Sequence, residues 1–301
     1  MNLSSKKAAF VTLLGRPSAG KSTIVNRLCE HMVAVVSPVP QTTRNAIRGI
    51  VNREQGQLVL VDTPGIHRSG KKINRRLTET ALRAASESDI LLYVLDASRA
   101  PGPEEEVIAE KIQNQPSLVA AVNKMDLPAA DFARAKKFLT TRCALLDDSR
   151  VIPVSARNNE GTEALLAALF CLAPSGDPFY SEDYYTDQEM DFRIAEIIRG
   201  AALPFLRQEL PHAVYVEVAD RELRETNGVQ RLWVRAFIIC ERESQKGMIV
   251  GKGGTVIKTI GETSRKELNR ILDWKVDLDL RVKTSKDWRH NDGILRKLLG
   301  N

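Results

Sequence analysis

Near the N-terminus, Gly15, Arg16, Pro17, Ser18, Ala19, Gly20, Lys21 and Ser22 set two glycines, a lysine and a hydroxyl at the spacing G-x-x-x-x-G-K-[ST]. The run follows an apolar stretch, residues 8–14, and precedes a helical pattern that begins at Thr23. Such a loop grips phosphate: its glycines let backbone N–H groups close on the oxygens at a helix N-terminus, Lys21 reaches the β and γ oxygens, and Ser22 offers its hydroxyl to Mg2+. Three more short runs each stand at the C-terminal end of an apolar stretch, the place where open α/β sheets take ligands: Asp62, Thr63, Pro64 and Gly65; Asn123, Lys124, Met125 and Asp126; and Ser155 with Ala156. Asp62 can hold Mg2+ through water, and the Gly65 N–H can sense a γ-phosphate. The Asp126 carboxylate can accept two N–H bonds from guanine, a pattern that adenine does not offer. Asn123 would tie neighbouring loops together, Lys124 would lie along the base, and the Ala156 N–H would meet the guanine oxygen. The expected ligand is therefore GTP or GDP with Mg2+.

These residues need a frame. Apolar runs at 8–14, 58–62, 90–96, 118–123 and 151–154 alternate with helical periods at 23–29, 72–85, 103–113, 131–146 and 162–172, which predicts a mostly parallel sheet with helices on both faces. Residues 46–53 read as an additional strand near the edge. The turn-rich, acidic stretch 174–187 lacks either period and reads as a linker between a domain at 1–173 and another at 188–301. In the second, 188–206 looks helical, 214–221 and 231–240 strand-like, 255–271 helical and 275–282 strand-like, with a last helix at 291–299.

Composition fits a soluble globular protein, with 43% hydrophobic and 27% charged residues in 301, and no apolar run long enough to span a bilayer. Four cysteines without a C-x-x-C pair suggest neither a zinc site nor a disulfide framework, and fit a reducing cytoplasm. The net charge of +6 is uneven: residues 176–245 are acidic, whereas 246–301 carry 13 Lys/Arg against 7 Asp/Glu. A basic C-terminal segment suits a phosphate backbone, although such charge also serves as an ordinary solvated surface.

The order and spacing of the four nucleotide motifs resemble the translation-factor-like GTPases. Residues 40–44, PQTTR, fall where that family has its first switch, and the resemblance implies that Thr43, or else Thr42, reaches Mg2+ in the GTP state. Lys21, Thr43 and Gly65 are then the residues expected to act on the γ-phosphate, and Ser22, Thr43 and Asp62 those around the metal. Ras-like enzymes orient the attacking water with a glutamine after the D-x-x-G glycine, but this chain has Ile66 there. It is similar in this to the hydrophobic-substituted GTPases, so slow turnover is expected unless a substitute group, an ion or a partner assists. His67 is either a general base or a solvated loop residue. Relatives often carry Asn at the position of Ser18, a residue linked to potassium dependence.

The run GMIVGKGGTVIKTIG, residues 247–261, is similar to the G-x-x-G loop of a KH domain, in which glycines let the chain approach a nucleic-acid backbone ahead of a helix N-terminus. The element order matches the type II arrangement. An α/β P-loop GTPase domain followed by an α+β type II KH domain resembles the Era family of ribosome-assembly GTPases over essentially the whole chain. AEIIR at 195–199, QELPH at 208–212 and VIKTIG at 256–261 extend the match. The resemblance implies single-stranded RNA near the 3′ end of small-subunit ribosomal RNA and the small ribosomal subunit as partners. It also implies action as a monomer, in the cytoplasm and peripherally at the inner membrane. The RNA contacts are expected at Lys246, Ile249, Gly251, Lys252, Gly253, Gly254, Ile257 and Lys258. Arg281, Lys283, Lys286, Arg289, Arg296 and Lys297 either extend that surface or are solvated, and Trp274 and Trp288 either stack on bases or pack in the core. Two rival readings stand beside the switch: an RNA-binding protein with GTP as a structural ligand, and a membrane-associated signalling or cell-cycle GTPase.

Overall fold

The structure is a computed structural model that describes residues 6–37, 42–66, 72–206, 214–226, 228–286, 288, 291, 293 and 294. His67, Pro40, Gln41, residues 208–212, Arg289 and most of the last expected helix, with Arg296 and Lys297, lie outside them.

The chain divides into two compact units, one holding residues 1–36 and 43–187, the other 37–42 and 188–301. In the first, six strands form one sheet in the order β2-β3-β1-β4-β5-β6. They are β1 (Lys7–Leu14), β2 (Ile47–Arg53), β3 (Gly56–Asp62), β4 (Ile90–Asp96), β5 (Leu118–Asn123) and β6 (Val151–Pro153). All neighbours pair in parallel except β2, which runs antiparallel to β3. β3, β4 and β5 are buried along their whole length because helices cover both faces, so they read as unbroken apolar runs rather than alternating ones. α2 (Lys72–Ser86), α3 (Pro103–Ile112) and α4 (Phe132–Arg142) share a core with the sheet that includes Ala81, Tyr93, Ile108 and Leu139. α1 (Lys21–Leu28) and α5 (Thr162–Leu172) pack against each other and against the sheet. α4 is shorter than its sequence period suggests, because Cys143 leaves helical geometry.

Residues 174–187, which read as a linker, lie hydrogen-bonded against the first unit. Ala8 N–H bonds the Pro174 carbonyl at 3.1 Å, Ile50 N–H the Tyr185 carbonyl at 2.9 Å, and the Thr186 hydroxyl the Arg48 carbonyl at 2.7 Å. The buried Gln57 amide takes both the Phe179 and Tyr180 N–H groups and donates to the Tyr180 carbonyl. The segment has no period of its own because its backbone groups are satisfied by the rim of a neighbouring strand.

In the second unit α6 (Met190–Ala202), β7 (Val214–Thr226), β8 (Val229–Cys240), α7 (Glu243–Val250), α8 (Thr255–Ile271) and β9 (Lys275–Thr284) follow in order. β8 is central, antiparallel to β7 and parallel to β9. Leu232, Val234, Ala236 and Ile238 alternate inward from β8, while Ile194 and Ile198 of α6 and Ile260 and Leu268 of α8 are buried on the helices that pack against the sheet. α7 is an element the sequence pattern does not suggest: Gly247 interrupts its period. Trp288 is buried edge-on to Tyr215, so it belongs to the core, and Trp274 is half-buried. Among the described residues, no helix is long and apolar enough to cross a membrane.

Candidate nucleotide site and RNA loop

β1 delivers the loop 15–20 to the first turn of α1. Gly20 has φ +101°, and a side chain there would strike the Asn123 amide, so glycine alone fits the conformation and the approach. Lys21 is buried, and its ammonium donates to the carbonyls of Gly15 and Arg16, both at 3.0 Å. Burial lowers its pKa to about 8, with the Asp62 carboxylate opposing the shift. Ser18 holds φ +61°, a left-handed conformation that asparagine tolerates better than serine.

At the foot of this loop three oxygens converge. The Ser22 hydroxyl donates to Asp62 Oδ2 at 2.6 Å, the Thr43 hydroxyl to the same oxygen at 3.2 Å, and the two hydroxyls lie 3.0 Å apart. Asp62 is fully buried, and its Oδ1 has no hydrogen-bond partner among the described residues. Burial raises the Asp62 pKa against the pull of Lys21, Ser22 and Thr43. An orphan carboxylate oxygen beside two hydroxyls is an all-oxygen donor set of the kind Mg2+ takes, together with phosphate and water. Of the two candidate threonines, Thr43 puts its hydroxyl in this cluster.

The D-x-x-G turn packs tightly on the phosphate loop. A side chain at Gly65 would come within 2.5 Å of Pro17 N, and Ile66 N–H donates to the Gly15 carbonyl at 3.1 Å. Thr63 bonds the Leu13 carbonyl at 2.6 Å. The Ile66 side chain is buried in the core with Leu14, Ala81 and Tyr93. It anchors the turn from below.

Asn123 links the three loops at the base end: its amide N–H donates to the Ala19 carbonyl at 2.9 Å and its oxygen accepts from Ala156 N–H at 3.1 Å. Asp126 accepts from the Ser155 hydroxyl at 2.8 Å, which fixes its carboxylate. Two features here escape a reading by motif. Arg27 of α1 donates to the Ala156 and Arg157 carbonyls, both at 2.9 Å, clamping the Ser155–Ala156 loop from behind. Asp96, at the end of β4, is buried and accepts from Lys124 at 2.7 Å and Arg16 at 3.1 Å, while Arg16 also ion-pairs with buried Glu105 at 3.1 Å. Burial alone would raise the Asp96 pKa; hydrogen bonds from Lys124 and Ser98 reverse that and hold it below the usual carboxylate value. An aspartate at a strand end is the one signal that could have marked it.

In the second unit the loop 251–254 joins α7 to α8. Gly251 has φ +73°, and a side chain there would meet Val256 Cγ2 at 2.5 Å; Gly253 and Gly254 also have positive φ but face open space. Lys252 and Lys258 are exposed, and Lys246 and Ile257 half-exposed. Ile249 is fully buried, so its side chain seats α7 rather than meeting a ligand. Its neighbour Met248, 56% exposed, is the apolar group that borders the loop. Arg281 pairs with Asp279, and Lys283 lies 3.3 Å over the Phe237 ring, so both are engaged within the sheet.

Residues 10–124 match a protein family described as 50S ribosome-binding GTPase, and 209–289 match the KH domain. The chain is 47% identical to the GTPase Era of Treponema denticola over 97% of this chain and 99% of that one. It is 39% identical to the GTPase Era of Borreliella burgdorferi over the same shares. Among solved structures, Era in complex with MgGDPNP and nucleotides 1506–1542 of 16S ribosomal RNA superposes with a TM-score of 0.89 at 31% identity, covering 98% of this chain and 99% of that one. A point variant of Aquifex aeolicus Era bound to GDP and AlF4− gives 0.87 at 30% identity with the same coverage.

Proposed function

The chain belongs to the Era family of GTPases, and from that membership we propose that it is a GTP-driven switch that grips and releases the 3′ end of small-subunit ribosomal RNA during maturation of the subunit in the cytoplasm. The observation that carries the nucleotide half is the cluster of Ser22, Thr43 and the orphan Asp62 oxygen beside Lys21.

In this reading the loop from Gly15 to Thr23 wraps the phosphates with backbone N–H groups, which all its residues except Pro17 carry. Lys21 leaves the Gly15 and Arg16 carbonyls for the β and γ oxygens, where a fixed cation stabilises charge as it develops. Ser22, Thr43 and Asp62 would hold Mg2+, which when bound would neutralise the phosphate oxygens. Asp126, held by Ser155, reads the guanine edge, and the Ala156 N–H leaves the Asn123 side-chain oxygen for the guanine oxygen while Arg27 keeps the loop in place through the Ala156 carbonyl. Gly65, packed on Pro17, reports the γ-phosphate through its N–H. With Ile66 buried, no side chain from that position orients water. Unassisted turnover is therefore expected on the order of 10⁻⁴–10⁻³ s⁻¹.

The KH unit supplies the RNA site. Gly251 to Gly254 let backbone come close to the nucleic-acid chain, and Lys246, Lys252 and Lys258 meet phosphates ahead of α8. Met248 adds an apolar face beside them. Titrating the purified protein with a 16S 3′-end RNA, once with GDP and once with a non-hydrolysable GTP analogue, tests the whole reading. Different affinities support the switch; equal affinities identify an RNA-binding protein with GTP as a structural ligand.

A further inference from the structure

The Ser22–Thr43–Asp62 cluster and the second unit meet in sequence at one peptide bond, between Thr42 and Thr43. Thr43 turns its hydroxyl to Ser22 and Asp62. The preceding residue, Thr42, groups with the second unit, and its carbonyl accepts a hydrogen bond from the Arg199 guanidinium. Arg199 lies on α6, is only 2% exposed, and is held in place by Glu196, to which its Nε donates at 2.6 Å. Its Nη1 has no hydrogen-bond partner among the described residues. A buried guanidinium with a spare donor is under-satisfied, so a change in where the Thr42 carbonyl lies has a second N–H to meet it. α6 in turn packs on α8, the helix that opens at the G-x-x-G loop.

We propose that Arg199 is the positioning residue through which the state of the metal and γ-phosphate site sets RNA affinity. The proposal rests on the switch reading above. When Thr43 is drawn to Mg2+ with GTP, the Thr42 carbonyl is fixed, and with it the guanidinium and the α6 face that supports α8. With GDP, Thr43 loses that anchor and the Thr42 carbonyl shifts with it. Arg199 touches neither nucleotide nor RNA in this scheme. It couples them.

The test uses the full chain, a synthetic RNA of 16S nucleotides 1506–1542, and fluorescent GDP and non-hydrolysable GTP analogues. Variants are Arg199→Gln and, as a conservative partner that keeps the charge beside Glu196, Arg199→Lys, with thermal melts to establish folding. In the wild type, RNA affinity differs between nucleotide states, and by linkage RNA changes GTP-analogue affinity by the same factor. In Arg199→Gln both ratios are expected to fall to within about twofold of unity, with GDP affinity and RNA affinity in the GDP state unchanged within about twofold. Should Arg199→Gln not fold, Arg199→Lys is expected to lose most of the ratio by itself. A folded variant that keeps the wild-type ratio overturns the proposal. A wild type with no ratio at all overturns the switch reading, and this coupling with it.

Discussion

In the nucleotide unit the groups proposed to recognise the ligand already hold one another: Lys21 bonds two loop carbonyls, Asn123 joins two loops, and Ser155 fixes Asp126. In the KH unit the groups proposed to meet RNA are more open: Lys252 and Lys258 are in solvent, Lys246 pairs with Glu243 at 3.6 Å, and the glycines of the loop face open space at two of three positions. A nucleotide of fixed shape rewards a site whose geometry is set in advance, because little ordering remains to oppose binding. A flexible single strand is met better by an open backbone and solvated cations, whose sequence-tolerant contacts depend on salt. The difference also says where each half is vulnerable: the first to loss of one buried partner, the second to loss of approach.

The sharpest way to break this comparison is Lys21→Ala. Removing a buried ammonium from the phosphates should weaken GTP binding by about 10²–10³-fold while RNA binding in the absence of nucleotide stays intact, measured by calorimetry. Next comes Asp126→Asn, expected to shift preference from guanine toward xanthine nucleotides by about 10²-fold or more; retained GTP selectivity would contradict the role given to Asp126. Gly251→Asp, which combines strained φ, contact with Val256 and a charge facing phosphate, should reduce RNA affinity by about 10-fold to 100-fold with GTP binding preserved. Gly253→Asp is the sharpening control. It meets no neighbour, so its effect should be smaller and largely abolished by salt, read in a titration at two ionic strengths.

A pH series probes the buried site alone. The folded pKa of Lys21, about 8, lies below its ordinary 10.5, so the unfolded chain binds more protons between those values. Stability of the nucleotide-free protein should therefore gain on the order of 3 kcal/mol from this group as pH rises through that window. GTP needs the charged ammonium, so its affinity should fall by up to about tenfold per pH unit above about 8. A flat affinity profile from pH 7 to 9 would show that Lys21 is not desolvated as described. The smallest expected effect is that of Ser18→Asn, which should stabilise the fold by about 0.5 kcal/mol by relieving a left-handed serine, seen as a shift in the denaturation midpoint.

Much of this is legible from residue order. The strands β3, β4 and β5 announce themselves because burial on both faces leaves no polar interruption, and each ends on a residue of the site: Asp62, Asp96 and Asn123. The motifs at two of those ends have fixed chemistry and can be named. Asp96 cannot, since a single aspartate carries no spacing that ties it to Arg16 and Lys124. The Arg27 clamp is equally silent, because arginine on a helix is ordinarily solvated. Whether Thr42 or Thr43 turns its hydroxyl to Ser22 and Asp62 depends on a backbone twist that sequence does not encode locally, and the inward turn of Ile249 and Ile66 depends on which face the core occupies. α7 escapes notice because its glycine masks the period that a helix needs to be seen.

The strap at 174–187 has a consequence for handling the molecule in pieces. β2 is the outermost strand of its sheet, and Tyr185 and Thr186 occupy the hydrogen-bonding groups along its outer side. A nucleotide domain cut after Ala173 would present that side bare, a template for strand addition by a second molecule and so for clumping. Cut after Asp187, the same domain carries its own seal.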